Sequence, residues 1–253
     1  MIEIFLPPLM LITILVMIHT YFGRGILERG IIFTDLAIAQ SAAFGSALSL
    51  SYFHGEYIYL LTLVFALSSA FLIAFASTLK LQLEAFIGIL YVLGASGIMM
   101  VLANSAEGVE HFKALLASDI LFTQVDDIVN ASIIYMSIAL VLFFIYPRLK
   151  GFLKELLFFT LLAITVTSSV KLAGVLVVFS LLVAPALVAK NQSAMNSSIF
   201  ANLYGWILSY LAIYLSYTYD LPTGYTIVFT LSLTTLVLIL LLNISTFKKA
   251  SST

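Results

Sequence analysis

The sequence has no cysteine, one tryptophan, five prolines and only 9% charged residues. Without cysteine there is no disulfide and no thiolate metal site, and the redox compartment is unconstrained. Soluble domains carry about a quarter of their residues charged, so this chain lies outside that class. A net charge of −1 supplies no basic surface for nucleic acid. There is no Walker A sequence, so the chain cannot bind a nucleotide in that way. A His-Glu-x-x-His motif is absent, and no apolar stretch pairs a serine with a histidine. The chain therefore reads as a non-enzyme.

What is present is apolar: 62% of residues are hydrophobic. They form nine stretches, roughly 4–21, 31–51, 57–77, 86–103, 128–147, 155–170, 172–189, 198–217 and 223–243. A helix needs about 20 residues to cross the hydrocarbon core, and fewer when tilted or tightly packed. Lipid offers no partner to a free backbone amide, so runs of this length read as helices. The fold class is all-α, a polytopic transmembrane bundle of 8–9 spans forming one domain over residues 1–253. At 155–189 two short helices meeting near Lys171, or one long bent hairpin, fit equally. Met1-Ile-Glu3 lacks a basic n-region, so the first stretch reads as a span rather than a signal peptide.

Nine of the 11 Lys and Arg residues fall at alternate ends of these stretches: Arg24, Arg29, Lys80, Arg148, Lys150, Lys154, Lys190, Lys248 and Lys249. The basic side should be cytoplasmic, which puts the N-terminus outside and the C-terminus inside a cell membrane. Most acids fall on the other side, among them Glu56, Glu107, Glu110, Asp126, Asp127 and Asp220. An acidic outer face concentrates cations; ordinary solvated loop charge is the other reading.

Asp35 lies about one turn inside the second stretch. A carboxylate there needs a partner, water or an ion. Pairing with Arg24 or Arg29 would satisfy it, as would a place on an ion path. Gln40 and Ser41 lie deeper, as helix glue or lining for a polar path. At about 100° per residue Gln40 is about 140° round the helix from Asp35, so the two are no bidentate site. The second stretch is rich in Ala, Ser and Gly, as a central helix would be, whereas the last is rich in Leu, Val and Thr and reads as lipid-facing. On the outer loops, Glu107, Glu110, His111 and His54 are residue types that ligate divalent transition metals. His19, near the inner end of the first stretch, reads as a hydrogen-bonded packing residue.

Four segments in order carry a resemblance to a known family. Arg29-Gly-Ile-Ile-Phe-Thr-Asp-Leu-Ala-Ile-Ala-Gln-Ser-Ala-Ala-Phe-Gly45 resembles the second-span signature of the zinc/manganese/iron ABC-transporter permeases. Glu84-Ala85 followed by Ile87-Gly-Ile-Leu-Tyr91 is similar to the start of their fourth span. Ala114 to Leu121 looks like their outer Leu-Leu-x-Gly-x-Ile-Leu segment, with Ser118 for the glycine. Val166 to Ala186 resembles their late hairpin, which ends in a Pro-Ala pair.

The resemblance implies a homodimeric membrane pathway driven by two cytoplasmic ABC ATPase subunits. An extracytoplasmic metal-binding protein would deliver a divalent ion (zinc, manganese or iron) as substrate, and no cofactor would be tightly bound. Many members carry an Asp and a His four residues apart in the second span. Aligned on Gly45, Leu36 and Gln40 occupy those positions, and Asp35 falls where a glycine is common. The family's ligand pair is therefore not carried over, and Asp35, Gln40 and Ser41 remain the pathway candidates. Typical members dock the ATPase through a helix between the fifth and sixth spans. Here that connection is only about 147–154, which leaves Lys150, Lys154 and Glu155 as candidate coupling residues. An ion-coupled secondary transporter or channel, with Asp35 carrying the coupling ion, is the alternative.

Overall fold

The computed structural model describes residues 2–79, 81–103, 120–190 and 194–250. Among them are nine α-helices: α1 (Ile2–Arg29), α2 (Thr34–Phe53), α3 (Ile58–Ala76), α4 (Leu83–Leu102), α5 (Val125–Phe144), α6 (Gly151–Ala173), α7 (Val175–Val188), α8 (Ala194–Thr218) and α9 (Thr223–Ala250). The described residues contain no strand. Each helix falls on one of the nine apolar stretches, and eight are long and apolar enough to cross a membrane. The exception is α7, whose 14 residues rise about 21 Å. The division within 155–189 comes at Gly174, not at Lys171. There φ is +83°, a value glycine adopts without strain, so one residue suffices to turn the chain from α6 into α7.

Contacts across the sequence fix which helix ends lie together. Arg29, at the end of α1, binds Glu155 at the start of α6 and Tyr146 just past α5. The Phe33 amide, before α2, meets Glu84 at the start of α4. Arg24 donates to Ser198 near the start of α8. These ends form the basic end of the bundle. At the opposite end, Lys171 of α6 donates to the Tyr59 hydroxyl of α3 at 3.0 Å, and Ser51 of α2 to the Val101 carbonyl of α4 at 3.4 Å. Helices α1 to α6 therefore alternate in direction, and α7 returns the chain to the basic end where α8 begins.

Close approach between helices is made by glycine. A Cβ on Gly23 of α1 would sit 1.8 Å from the Leu182 carbonyl oxygen of α7. One on Gly45 of α2 would sit 2.4 Å from the Leu61 carbonyl oxygen of α3. Small residues let backbones meet where lipid provides no hydrophobic drive. The main core runs from Leu11, Leu15 and Phe22 of α1 through Ile38 and Ala42 of α2 to Phe158, Phe159 and Leu162 of α6. A second, smaller cluster of Ala47, Ile98 and Leu102 joins α2 to α4 alone. Helix α4 is thus held mainly by α2, with Ile87 reaching the main core, and α9 presents Leu233, Leu236, Leu240 and Leu241 outward, as its composition predicts.

Candidate functional site

The α1–α2 turn sets the site. Gly30, at φ +69°, reverses the chain after α1, and the Thr34 hydroxyl donates to the Ile31 carbonyl at 2.7 Å. Asp35 follows in the first turn of α2, only 1% exposed, and its Oδ1 has no hydrogen-bond partner. The pairing with Arg24 or Arg29 is not made. Arg29 instead grips Glu155 with Nε and one terminal nitrogen, at 2.9 and 3.0 Å. It also donates to the Tyr146 hydroxyl at 3.1 Å and the Gly25 carbonyl at 2.8 Å, and lies 4.0 Å over the Phe158 ring. Arg24 donates to Ser198.

Gln40 is half-buried and has no hydrogen-bond partner among the described residues. Its backbone abuts α4, where a Cβ on Gly94 would lie 3.0 Å away. Leu36, one turn earlier, shares its side of α2 and is also half-buried. Ser41 donates to the Ala37 carbonyl at 2.9 Å within its own helix. The three pathway candidates therefore do not converge: Asp35 faces the packed interior and Gln40 faces the α4 side.

His54 caps α2 at the opposite end with φ +51°, exposed beside exposed Glu56. Glu107, Glu110 and His111 lie outside the described residues. Among the described residues no three His, Cys, Asp or Glu side chains gather as a metal site would require. His19 is buried, with Nδ1 2.8 Å from the Leu15 carbonyl and Nε2 3.0 Å from the Ser169 hydroxyl. A carbonyl only accepts, so Nδ1 carries a proton and the ring bridges α1 to α6. Beside it, the Ser168 hydroxyl donates to Tyr135 of α5 at 3.1 Å.

Of the coupling candidates, Glu155 is held by Arg29, and Lys154 Nζ stands 5.0 Å from the Tyr146 ring centroid. Lys150 precedes α6 in an extended conformation. The connection itself is a single 3-10 turn, Tyr146–Arg148. Sequence reading missed the feature beside them, a wide-open surface cavity of about 810 Å³ lined by Arg29, Ile31, Phe33, Leu81, Gln82 and Glu84. Glu84 Oε1 accepts from the Phe33 amide at 3.4 Å, and its Oε2 is buried without a partner. The hint in the sequence was that Glu84, with Glu28 and Glu155, is one of the few acids on the basic side.

Residues 149–243 match the ABC 3 transport family. No curated protein matches the chain. Among solved structures it resembles a chain of PsaBC from Streptococcus pneumoniae in complex with Fab, at 20% identity and a TM-score of 0.70, covering 92% of this chain and 90% of that one. It also resembles a structure described as an inward-facing conformation of a putative metal-chelate type ABC transporter, at 16% identity and a TM-score of 0.62, covering 87% and 80%. The fold is shared over most of the chain, and the family match covers its later part. The family match falls on the late stretches that carry part of the permease resemblance, and the shared fold agrees with a multi-pass membrane protein.

Proposed function

We propose that this chain, an ABC-type permease by its 149–243 match and by its fold, is the membrane subunit of an importer for a divalent transition-metal ion. The observation that carries the reading is the family match, whose segment contains the α6–α7 break and all of α8. Two cytoplasmic ATPase subunits would supply the energy, a metal-binding protein would deliver zinc, manganese or iron to the acidic end, and two copies of the chain would form the pathway. The basic end is cytoplasmic in this reading.

The ion would pass beside α2 on the side of Leu36 and Gln40. An amide and backbone carbonyls bind a metal weakly, and weak binding suits a path from which the ion must leave. Alternating access follows if the two states differ in affinity for the ion. The test is ATP hydrolysis in liposomes by the chain with its ATPase and binding protein, with each ion added in turn. Stimulation by one ion supports the importer and names its substrate. Unstimulated hydrolysis with all three ions would sink the metal assignment.

A second reading is favoured by Asp35 alone, a buried carboxyl with one oxygen unpartnered. In it the chain is an ion-coupled carrier that needs no ATPase. Metal uptake by liposomes holding only this chain, lost in Asp35→Asn, would decide for it.

A further inference from the structure

We propose that the cavity between the α1–α2 turn and the start of α4 receives a basic side chain, Lys or Arg with apolar neighbours, from the partner ATPase. The proposal rests on the permease reading, which places this end of the bundle against the ATPase.

Glu84 motivates it. Its Oε2 is buried with no hydrogen-bond partner, and its Oε1 has one long bond from the Phe33 amide. A carboxylate removed from water needs donors or a counter-charge. Arg29, the cation on the cavity wall, cannot turn to it: its nitrogens are taken by Glu155, Tyr146 and Gly25, and its face by Phe158. No Lys or Arg other than Arg29 lines the cavity among the described residues, so in this proposal the positive charge is the partner's.

The surroundings favour a side chain over a metal ion. Zinc, manganese and iron take four or more ligands, and no second His, Asp or Glu with a free face lines the cavity beside Glu84. The rim is apolar: Phe33 is 50% exposed and Leu81 51%. A Lys or Arg lays its methylene stem along such a rim while its head reaches the carboxylate. The cavity is open to the outside, so such a side chain and its neighbours can enter it. Transport turnover would then be felt directly at α2 and α4, because Phe33 caps the start of α2 and Glu84 sits in the first turn of α4.

The experiment uses the whole chain in nanodiscs and its purified ATPase. The natural absence of cysteine permits a benzophenone maleimide on Leu81→Cys, with Tyr52→Cys at the opposite end as control. Leu81→Cys should cross-link the ATPase at a segment containing Lys or Arg, and Tyr52→Cys should not. Glu84→Gln should weaken ATPase binding about ten-fold or more, as loss of one partner of a buried charge pair does. Gln82→Lys, which leaves Glu84 in place but supplies a cation in cis, should weaken it too. Reversing the charge of the cross-linked basic residue should rescue Glu84→Lys.

Unchanged binding by Glu84→Gln and Gln82→Lys, with the wild type bound, overturns the proposal and leaves the permease reading standing. A wild-type chain that binds no ATPase overturns both. Manganese or zinc bound by the chain alone and lost in Glu84→Gln makes the cavity an ion site and overturns the side-chain assignment. Equal destabilisation by Glu84→Gln and Lys80→Gln, with ATPase binding intact, makes the pair internal and overturns it as well.

Discussion

Helices α1 and α2 are neighbours in sequence and both use a glycine contact, α1 at Gly23 toward α7, but the seam of α1 with α8 and the seams of α2 with α3 and α4 are held by opposite means. Toward α8, α1 uses a ladder of four polar contacts: Arg24 to Ser198, Thr20 to Asn202, the Trp206 indole to the Thr13 carbonyl, and Thr13 to Tyr210. Toward α6 it uses His19 and Arg29. Helix α2 meets α3 and α4 largely through missing side chains, at Gly45, Gly94 and Gly97. Its hydrogen bonds to them are few: Ser46 with Thr62 at 2.6 Å, and Ser51 to Val101 at 3.4 Å. Polar pairs fix register, because donor and acceptor must coincide. Glycine contacts fix distance, because the backbones touch. Sliding α8 along α1 breaks four hydrogen bonds, whereas shifting α4 on α2 gives up packing and two long bonds, Ser51 to Val101 and the Phe33 amide to Glu84. The less tethered seam is also the one that bears half-buried Gln40.

If distance is what holds α2, crowding should hurt it most. Gly45→Val places carbon against the Leu61 carbonyl and should lower stability by about 3 kcal/mol or more, read as the thermal unfolding midpoint in detergent. Wild-type stability in that variant would show that α3 can simply move away. On the polar side, Arg29→Ala leaves Glu155 alone. The pair is 21% and 27% exposed, so the loss should be about 1–2 kcal/mol rather than that of a fully buried pair. In a double-mutant cycle, adding Glu155→Ala should destabilise by less than the sum of the singles. His19→Leu and Ser169→Ala should each remove about 1 kcal/mol, with coupling between them, since hydrogen bonds between membrane helices contribute about 0.6 to 1.7 kcal/mol. Thr20→Val should remove about 0.6 kcal/mol. At the small end, Gln40→Leu should leave the unfolding midpoint in place while metal transport falls. A lower midpoint with transport intact would make Gln40 an ordinary packing residue.

Much of the architecture was legible because bilayer thickness imposes a length that composition reveals. The nine stretches became the nine described helices, the small-residue second helix became central, and the Leu/Val/Thr-rich last one faces outward. The α6–α7 boundary was misplaced by three residues, since Lys171 looked like a loop charge. It instead reaches back to Tyr59, and the turn is made by Gly174, whose backbone freedom leaves no trace in hydropathy. The site was less legible. Asp35 could be singled out as costly, yet the Glu155 that takes Arg29 from it lies 126 residues beyond that arginine. Nor does Glu84 announce its unpartnered oxygen, which exists only once α4 is brought against the α1–α2 turn.

The single-residue turn at Gly174 bears on how the chain is made. Fourteen residues are too few for α7 to partition into a bilayer unaided. Its seat is the groove beside Gly23, where the Leu182 carbonyl fits. Helix α1 is synthesised before α7, so its groove must wait for the helix that fills it. Since α6 docks on the same helix through His19 and Arg29, its one-residue tether holds α7 close to that groove. Lengthening that tether would slow the last helices' arrival in the membrane before it altered any finished contact.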